Sequence, residues 1–438
     1  MAETALIGLA IFVGMLALIM LGFPIYVSML TGTLVGFLVL GTPSMLLIQF
    51  TNGPFTRCVS YTYAVVPLFT IVGTLAGNTG IAQGAYSSIK KWVGGIRGGL
   101  LYTTILANAA FGACSGSSTA GNVVFSKIAI PELDRADYDK ELSMGCVASA
   151  GILSALIPPS VGIIMFCLIT GVSIGTSLIC GIGGAILFII LQFACIFIIS
   201  KVRPEKVPFP SEEDKHIPLK EKILGLRLLV PIVLLFAVII GGCMLGWFPA
   251  TVAGAFAAVI LIVYAIIKQL PLKTIWSCVW EGAQVFGSIY LVIICGQMFS
   301  RVIAMSGLAD YLAGLIINMN VPAYLIYVIC IVFYLFCGCF MEMMSIIVIT
   351  VPIVFPVLTG LGYNPFLLVI ALVFVMDMAQ LTPPVGLGVY TVANVIGENP
   401  MRIFRGVVPF FVTEIIAVLL IGLVPDLVLW FPKVLGVI

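Results

Sequence analysis

The stretch FGACSGSSTAGN, residues 111–122, decides how the rest of the chain is read. It places Ser115, Ser117, Ser118, Thr119 and Asn122 inside an apolar segment, between the hydrophobic runs 100–105 and 123–130. Hydrocarbon tolerates no unpaired backbone group and few hydroxyls. One reading is small-residue packing between helices. The other is a break, where two short helices end and expose polar backbone.

Composition sets the surroundings of that stretch. Of 438 residues, 62% are hydrophobic and 9% charged, with a mean hydropathy of +1.25. Soluble domains carry about 25% charged residues. The chain therefore reads as an all-α polytopic membrane protein in a lipid bilayer. Its net charge of +2, with basic residues concentrated in one loop, gives no reason to expect a nucleic-acid partner. Residues 4–22 follow Glu3 with no Lys or Arg before them, so they lack the basic start of a secretory signal and read as the first membrane helix. The 12 cysteines are scattered without zinc-like pairing, and Cys337 and Cys339 read as packing. The single histidine, His216, lies in a charged loop. A nucleophile with its base is then missing from the apolar spans, so no enzyme and no catalytic residue is expected.

Two segments do not behave as single crossings. Residues 98–133 and 320–360 are too long for one helix and have polar or proline-rich interruptions. Each half, at about 12 to 16 residues, makes roughly 20 Å of helix. That is short of the roughly 30 Å of hydrocarbon. Both segments read as re-entrant hairpins. Lys90, Lys91 and Arg97 precede the first, and Arg135 and Lys140 follow it. The loop 201–227 holds seven of the 20 basic residues and is expected to be cytoplasmic, so the first hairpin opens from that side. Asn318, Asn320, Tyr363 and Asn364 flank the second without Lys or Arg, which places its opening on the far side.

The chain also matches itself at an offset near 225. IPPSVG (157–162) meets TPPVGL (382–387), Pro131 meets Pro356, and Gly181 meets Gly406. At a nearby offset TGIA (79–82) meets SGLA (306–309). Repeats of opposite orientation mark secondary transporters, whose sites lie where helices break near the midplane. The expected organisation is N-terminal scaffold helices and an arm over 1–60, and a first repeat over 61–200 with its hairpin at 98–133 and a broken helix at 140–170. A cytoplasmic loop over 201–222 and scaffold helices with an arm over 223–282 follow. A second repeat over 283–438 has its hairpin at 320–360, a broken helix at 364–396 and a last helix at 406–431.

On this plan the serine run is a hairpin tip, followed by a break at Pro158 and Pro159, which have no amide hydrogens. Facing helix ends offer carbonyls to a hard cation and N–H groups to an anion. Glu342 and Asp377 are acidic residues in apolar surroundings, which points to a functional site, with an interfacial or capping role as the alternative. Thr382 can offer a hydroxyl at the second break. Met343 and Met344 read as packing or gate lining. Arg402 and Arg405 read as positive-inside anchors, and Glu281, Gln284, Gln297 and Arg301 as polar contacts between supporting helices.

The ordered set SGSS (115–118), IPEL (130–133), IPPS (157–160), SIGTSL (173–178), FMEMMSIIVITVPIVFPVL (340–358) and LTPPVGLGVY (381–390) resembles the large membrane subunit of tripartite ATP-independent periplasmic (TRAP) transporters, of the ion transporter superfamily. The resemblance runs over residues 5 to 432. It implies an inverted-repeat, elevator-type transporter with two re-entrant helical hairpins and two broken helices. It further implies Na+-coupled uptake of a small organic acid such as a dicarboxylate, a sialic acid or another sugar acid. A periplasmic substrate-binding protein would deliver the acid, and a separate four-helix membrane subunit would complete the complex in the bacterial inner membrane. No cofactor is implied beyond Na+ as coupling ion. Residue by residue, the resemblance puts a first sodium site at Ser115, Ser117, Ser118, Ser154, Ile157 and Pro159. A second falls at Gly338, Glu342, Ser345, Asp377 and Thr382, and a substrate cavity at Gly116, Thr119, Pro158, Ser160, Met343, Pro383 and Pro384. The chain departs from the family's pattern at three places: Ser154 and Ala379 stand where glycine is usual, and Glu342, Met343 and Met344 stand where aspartate and two prolines are frequent. A Na+/H+ or organic-anion antiporter of related architecture, working without a binding protein, is the alternative.

Overall fold

Helix starts and stops fall where capping chemistry places them, and the devices occur twice. Asp139 accepts a hydrogen bond from the Leu142 amide (2.9 Å) and starts Lys140–Ala150. Asn364 does the same for the Phe366 amide (2.9 Å) at the head of Pro365–Met378. Ser173 caps Ile174–Val202, and Asn399 caps Pro400–Leu423. Gly171 (φ +76°) and Gly397 (φ +72°) end Val161–Thr170 and Leu387–Ile396, in a left-handed conformation that glycine adopts without strain. Each pair lies 225 or 226 residues apart. The computed structural model describes residues 2–58, 61–318 and 321–437, and no strand occurs among them.

Both hairpins are present. The first consists of Gly99–Ser115 and Ser118–Arg135, the second of Ala323–Gly338 and Met343–Gly360. Their second arms are displaced by 225 residues at both ends. The arms are longer than the sequence suggests, at 17, 18, 16 and 18 residues. Eighteen residues rise about 27 Å, close to the thickness of the hydrocarbon. By length and composition Met343–Gly360 counts among six helices able to cross a membrane, eight if each of two bent pairs is one crossing. The expected start of the second hairpin at 320 lies outside the described residues, as do Asn320 and the boundary residue 60.

The breaks also recur. Lys140–Ala150 and Leu153–Leu156 stop before Pro158, and Val161–Thr170 resumes after a 45° bend. Pro365–Met378 and a short turn of 3-10 helix stop before Pro383, and Leu387–Ile396 resumes. Elsewhere the boundaries differ from the sequence plan. The first repeat begins with two helices, Val65–Asn78 and Ile81–Val93, bent by 62° at Gly80, whose φ is +76°. The expected boundary between 282 and 283 falls inside one continuous helix, Leu272–Ser306. The span beginning at Leu219 runs to Met244, so the loop before it ends at 218 rather than 222. The expected last helix over 406–431 is two, Pro400–Leu423 and Asp426–Val434, because the backbone turns out of the helix at Val424.

The two repeats exchange parts. Leu387–Ile396 packs on Ser118–Arg135, and Val161–Thr170 packs on Met343–Gly360. Each hairpin's second arm thus lies against the half-helix that follows the other repeat's break. Gly162 makes this approach possible, since a Cβ there would stand 2.8 Å from Met343 Cε. Pro400–Leu423 relates the hairpin bases to one another. Near its start, Arg402 meets Glu398 (3.0 Å) and Glu141 (3.8 Å), next to the base of the first hairpin. Near its end, the Val418 carbonyl accepts from Tyr327 Oη (2.8 Å) at the base of the second. Sixteen helical residues separate those points, so the two hairpin bases meet this helix about 24 Å apart along its axis. The charged loop clasps the first base: Arg97 donates to the Val207 and Pro204 carbonyls, Lys206 pairs with Asp139 (3.2 Å), and Lys90, itself paired with Glu132 (2.9 Å), lies 3.9 Å from Asp214.

A separate group of helices stands beside the repeats. Ala2–Met20 and Ile25–Val39 pack on Leu272–Ser306, which also packs on Val65–Asn78. Gln297 and Tyr63 bond across this framework.

Candidate functional site

The tips close on the breaks by the same contact in both repeats. At the first, Gly116 is left-handed (φ +61°), and its carbonyl accepts from the Val161 amide (3.3 Å). A Cβ on Gly116 would run into the Pro159 carbonyl. At the second, the Cys339 carbonyl accepts from the Gly386 amide (3.4 Å). Ser117 and Glu342, 225 residues apart, are both the extended residue that opens the second arm. Only Ser117 caps with its side chain, accepting from the Ala120 amide (3.4 Å).

Of the first expected sodium set, Ser115, Ser117 and Ser118 gather at the tip. Ser115 Oγ is buried without a hydrogen-bond partner. Ser154 instead turns to Asn108, donating to its Oδ1 (2.9 Å), while Asn108 Nδ2 finds no partner. A Cβ on Gly112 would sit 2.7 Å from Ser154 Cα, so the tip packs on this helix through glycine. Ile157 is the extended residue that ends Leu153–Leu156, beside the buried Pro158 and Pro159.

Of the second expected set, Asp377 lies elsewhere than its sequence neighbours suggest. Its Oδ1 accepts from Ser118 Oγ (2.7 Å) and Gln380 Nε2 (2.9 Å), so it serves the first tip. Its Oδ2 is buried without a partner. Thr382 donates to the Ala379 carbonyl (2.6 Å) and lies 3.0 Å from Cys339 Sγ, which also donates to the Pro383 carbonyl (3.1 Å). Cys339, read as packing from sequence, instead ties the second tip to its break. Gly338 packs against Ala379 with no room for a side chain, and Ser345 is buried in the first turn of the second arm.

A cavity of about 690 Å3 lies between the tips and the framework. Ser115, Gly116, Ser117, Ser118, Thr119 and Lys127 line it from the first hairpin, and Glu342, Met343 and Met344 from the second. Thr70, Thr74 and Asn78 of Val65–Asn78 face them, with Glu281 and Gln380. Glu342 is exposed to this cavity although it belongs to a hairpin tip. Four expected lining residues are not on its wall. Pro158 is buried, and Ser160 is buried as the cap of Val161–Thr170, accepting from the Ile163 amide (3.1 Å). Pro383 and Pro384 are exposed but do not line the cavity. Sequence reasoning missed Thr70, Thr74, Asn78 and Lys127. The available signal was Lys127 itself, a basic residue in the apolar arm VVFSKIAI (123–130). Among the described residues no group of His, Cys, Asp and Glu could hold a metal ion by side chains of those types alone.

Comparison with known proteins places these features in a family. Residues 12–427 match the family described as tripartite ATP-independent periplasmic transporter, DctM component. The chain is 28% identical to the C4-dicarboxylate TRAP transporter large permease protein DctM of Pseudomonas aeruginosa, over 86% of this chain and 87% of that one. It is 27% identical to the sialic acid TRAP transporter large permease protein SiaM of Vibrio cholerae, over 85% and 87% of the two chains. It is 25% identical to the ectoine TRAP transporter large permease protein TeaC of Halomonas elongata, over 83% and 84%. In fold it resembles the crystal structure of the Alcanivorax borkumensis YdaH transporter, with a TM-score of 0.54 and 15% identity over 84% of this chain and 87% of that one.

Proposed function

The chain belongs to the DctM component family of tripartite ATP-independent periplasmic transporters, and from that membership we propose that it carries a small organic acid through the bacterial inner membrane, driven by a Na+ gradient. It is a TRAP large permease subunit and not an enzyme. A periplasmic substrate-binding protein delivers the acid, and a separate small membrane subunit completes the complex.

The observation that carries this reading is the reciprocal arrangement of two hairpin tips and two proline breaks beside one cavity. In our reading the hairpins are re-entrant. Na+ binds at the first tip through Ser115 and neighbouring carbonyls, with Asp377 near enough to balance its charge. A second ion binds where Thr382 and Glu342 approach the other tip. Ions ordering both tips raise the affinity of the cavity for a carboxylate. The repeats then slide as one body against the framework of Leu272–Ser306 and its partners, in an elevator movement. A cation couples to transport only if it binds one state better than the other, and tips that close on it supply that difference.

The test is uptake by proteoliposomes holding the complete complex. Ser117→Ala combined with Ser118→Ala should weaken Na+-driven uptake and raise the Na+ concentration it needs. Unaltered uptake with unaltered Na+ dependence in that double variant would remove the first ion site.

A further inference from the structure

Two framework helices repeat one another. Val65–Asn78 stops just before Gly80 (φ +76°) and Leu272–Ser306 just before Gly307 (φ +69°), two left-handed glycines 227 positions apart. TGIA meets SGLA at this same spacing. The buried faces agree in that register: Phe69, Val72 and Leu75 are buried in one helix, and Gly296, Phe299 and Val302 in the other. The open faces agree as well. Thr70, Thr74 and Asn78 stand on the cavity wall, and their counterparts Gln297, Arg301 and Met305 form one stripe of Leu272–Ser306 that is not on that wall. Gln297 meets Tyr63, whereas Arg301 is exposed and makes no ion pair or hydrogen bond among the described residues. It sits in the apolar run YLVIICGQMFSRVIAM (290–305). A charged side chain at membrane depth is costly against hydrocarbon and is kept where water or a partner reaches it.

The hairpins are seated unequally on these two helices. The cavity follows the second arm of the first hairpin from Ser118 to Ile128, about 15 Å of helix, but takes only Glu342, Met343 and Met344 from the second hairpin. It therefore reaches from the tips toward the base of the first hairpin. Against Leu272–Ser306 the second hairpin is closed, since a Cβ on Gly296 would run into Val348 Cγ1. Against Val65–Asn78 the first hairpin is looser, and a Cβ on Gly77 would stand at an ordinary 3.7 Å from Val124 Cγ2.

We infer that Arg301 lines the mouth of the transport path in the opposite-facing state and meets the incoming acid there. The inference rests on the transport reading above and adds a residue to it. Because the two repeats are alike, exchanging their roles closes the first hairpin on Val65–Asn78 and lifts the second from Leu272–Ser306. Gln297, Arg301 and Met305 then wall the new opening, as Thr70, Thr74 and Asn78 wall the present one. The new opening reaches toward the base of the second hairpin. On the sidedness read from the basic residues that is the periplasmic face, where the binding protein releases its ligand. Each mouth then carries a cation, Lys127 on a hairpin arm at one and Arg301 on the framework at the other. An acid entering such a mouth gives up water, and a guanidinium offsets this with charge-assisted, paired hydrogen bonds. The competing occupant of Arg301 is an acidic side chain of the small subunit, which the experiment separates.

The experiment uses the complete complex, with its small subunit and binding protein, in proteoliposomes under a Na+ gradient. Succinate, N-acetylneuraminate and ectoine are the probe substrates. For whichever the wild type accumulates, Arg301→Gln should lower uptake about tenfold or more, the scale of a lost charged hydrogen bond, and Arg301→Lys should retain most of it. The purified Arg301→Gln complex should keep its small subunit and its melting point. Asn78→Cys and Met305→Cys report the two mouths in right-side-out and inside-out vesicles. An impermeant thiol reagent should reach 305 from the periplasmic face and 78 from the cytoplasmic face, and Na+ with the acid should change the two labelling rates in opposite directions. Undiminished uptake in Arg301→Gln, loss of the small subunit from that variant, or labelling of 305 from the cytoplasmic face or from neither overturns the inference, while wild-type uptake leaves the transport reading standing. A wild type that accumulates none of the acids removes the transport reading, and this inference with it.

Discussion

Ser118 Oγ donates to Asp377 Oδ1 at 2.7 Å, joining the tip of the first hairpin to the broken helix of the second repeat. The residues stand 259 positions apart in the chain. Ser118 is the first residue of its helix, and Asp377 is the next-to-last of Pro365–Met378. The bond therefore lies where one helix begins and another breaks.

Removing one partner leaves a buried carboxylate with Gln380 alone. A hydrogen bond to a charged group is worth about 1.5–3 kcal/mol. Ser118→Ala alone should raise the Na+ concentration for half-maximal uptake about tenfold or more, and Asp377→Asn should raise it further. Transport assays across a Na+ series measure both, and equal half-saturation in variant and wild type would detach this pair from ion binding.

Gly116 and Gly80 separate crowding from backbone strain. Both are left-handed, at φ +61° and +76°, but only Gly116 has another backbone, the Pro159 carbonyl, where a side chain would go. Gly80→Ala should cost about 1–2 kcal/mol, the strain of a left-handed alanine. Gly116→Ala carries that cost and must also open the tip. Thermal unfolding in detergent should rank Gly116→Ala clearly below Gly80→Ala, and uptake should fail only in the former.

Glu414 is buried in Pro400–Leu423 and accepts from Ser149 Oγ, which accepts in turn from Gln192 Nε2 (2.8 Å). Three helices meet in this chain of bonds. Glu414→Gln keeps a carbonyl acceptor and should cost less than about 1 kcal/mol, whereas Glu414→Ala leaves the Ser149 hydroxyl buried without an acceptor, at about 1–3 kcal/mol. Melting temperatures of the two variants should split accordingly. Equal values would mean that the contact contributes nothing to stability.

The opposite entry of the hairpins is open to labelling. Ile96→Cys and Arg135→Cys, at exposed positions on the first base, should react with an impermeant thiol reagent from the same face of the membrane. Asn364→Cys, beyond the second hairpin, should react from the other. Labelling of 96 and 135 from different faces would make the segment between them an ordinary single crossing rather than a hairpin.

Much of the fold was legible because its punctuation is local chemistry. Pro158 and Pro383 cannot donate to a helix, Gly116 and Gly171 take conformations that side chains resist, and Asp139 and Asn364 cap whatever follows them. Recurrence of the paired prolines and of single glycines near one offset pointed to two repeats before any packing was known. The framework was less legible. Val65–Asn78 and Leu272–Ser306 are apolar throughout most of their length, so periodicity could not say where one helix ends or which face meets the cavity.

What the sequence determined by itself was the class of molecule: an all-helical, membrane-embedded chain, since few charges and many long apolar runs suit no aqueous fold. Only the tertiary structure decided which polar groups share a site. It moved Asp377 to the first tip and put Ser160 under a helix end. It also brought Thr70, Thr74 and Lys127 together across the cavity. Such pairings join residues tens to hundreds of positions apart, and they depend on how helix faces rotate against one another. That rotation is set by side-chain packing over the whole bundle, which no single stretch of sequence contains.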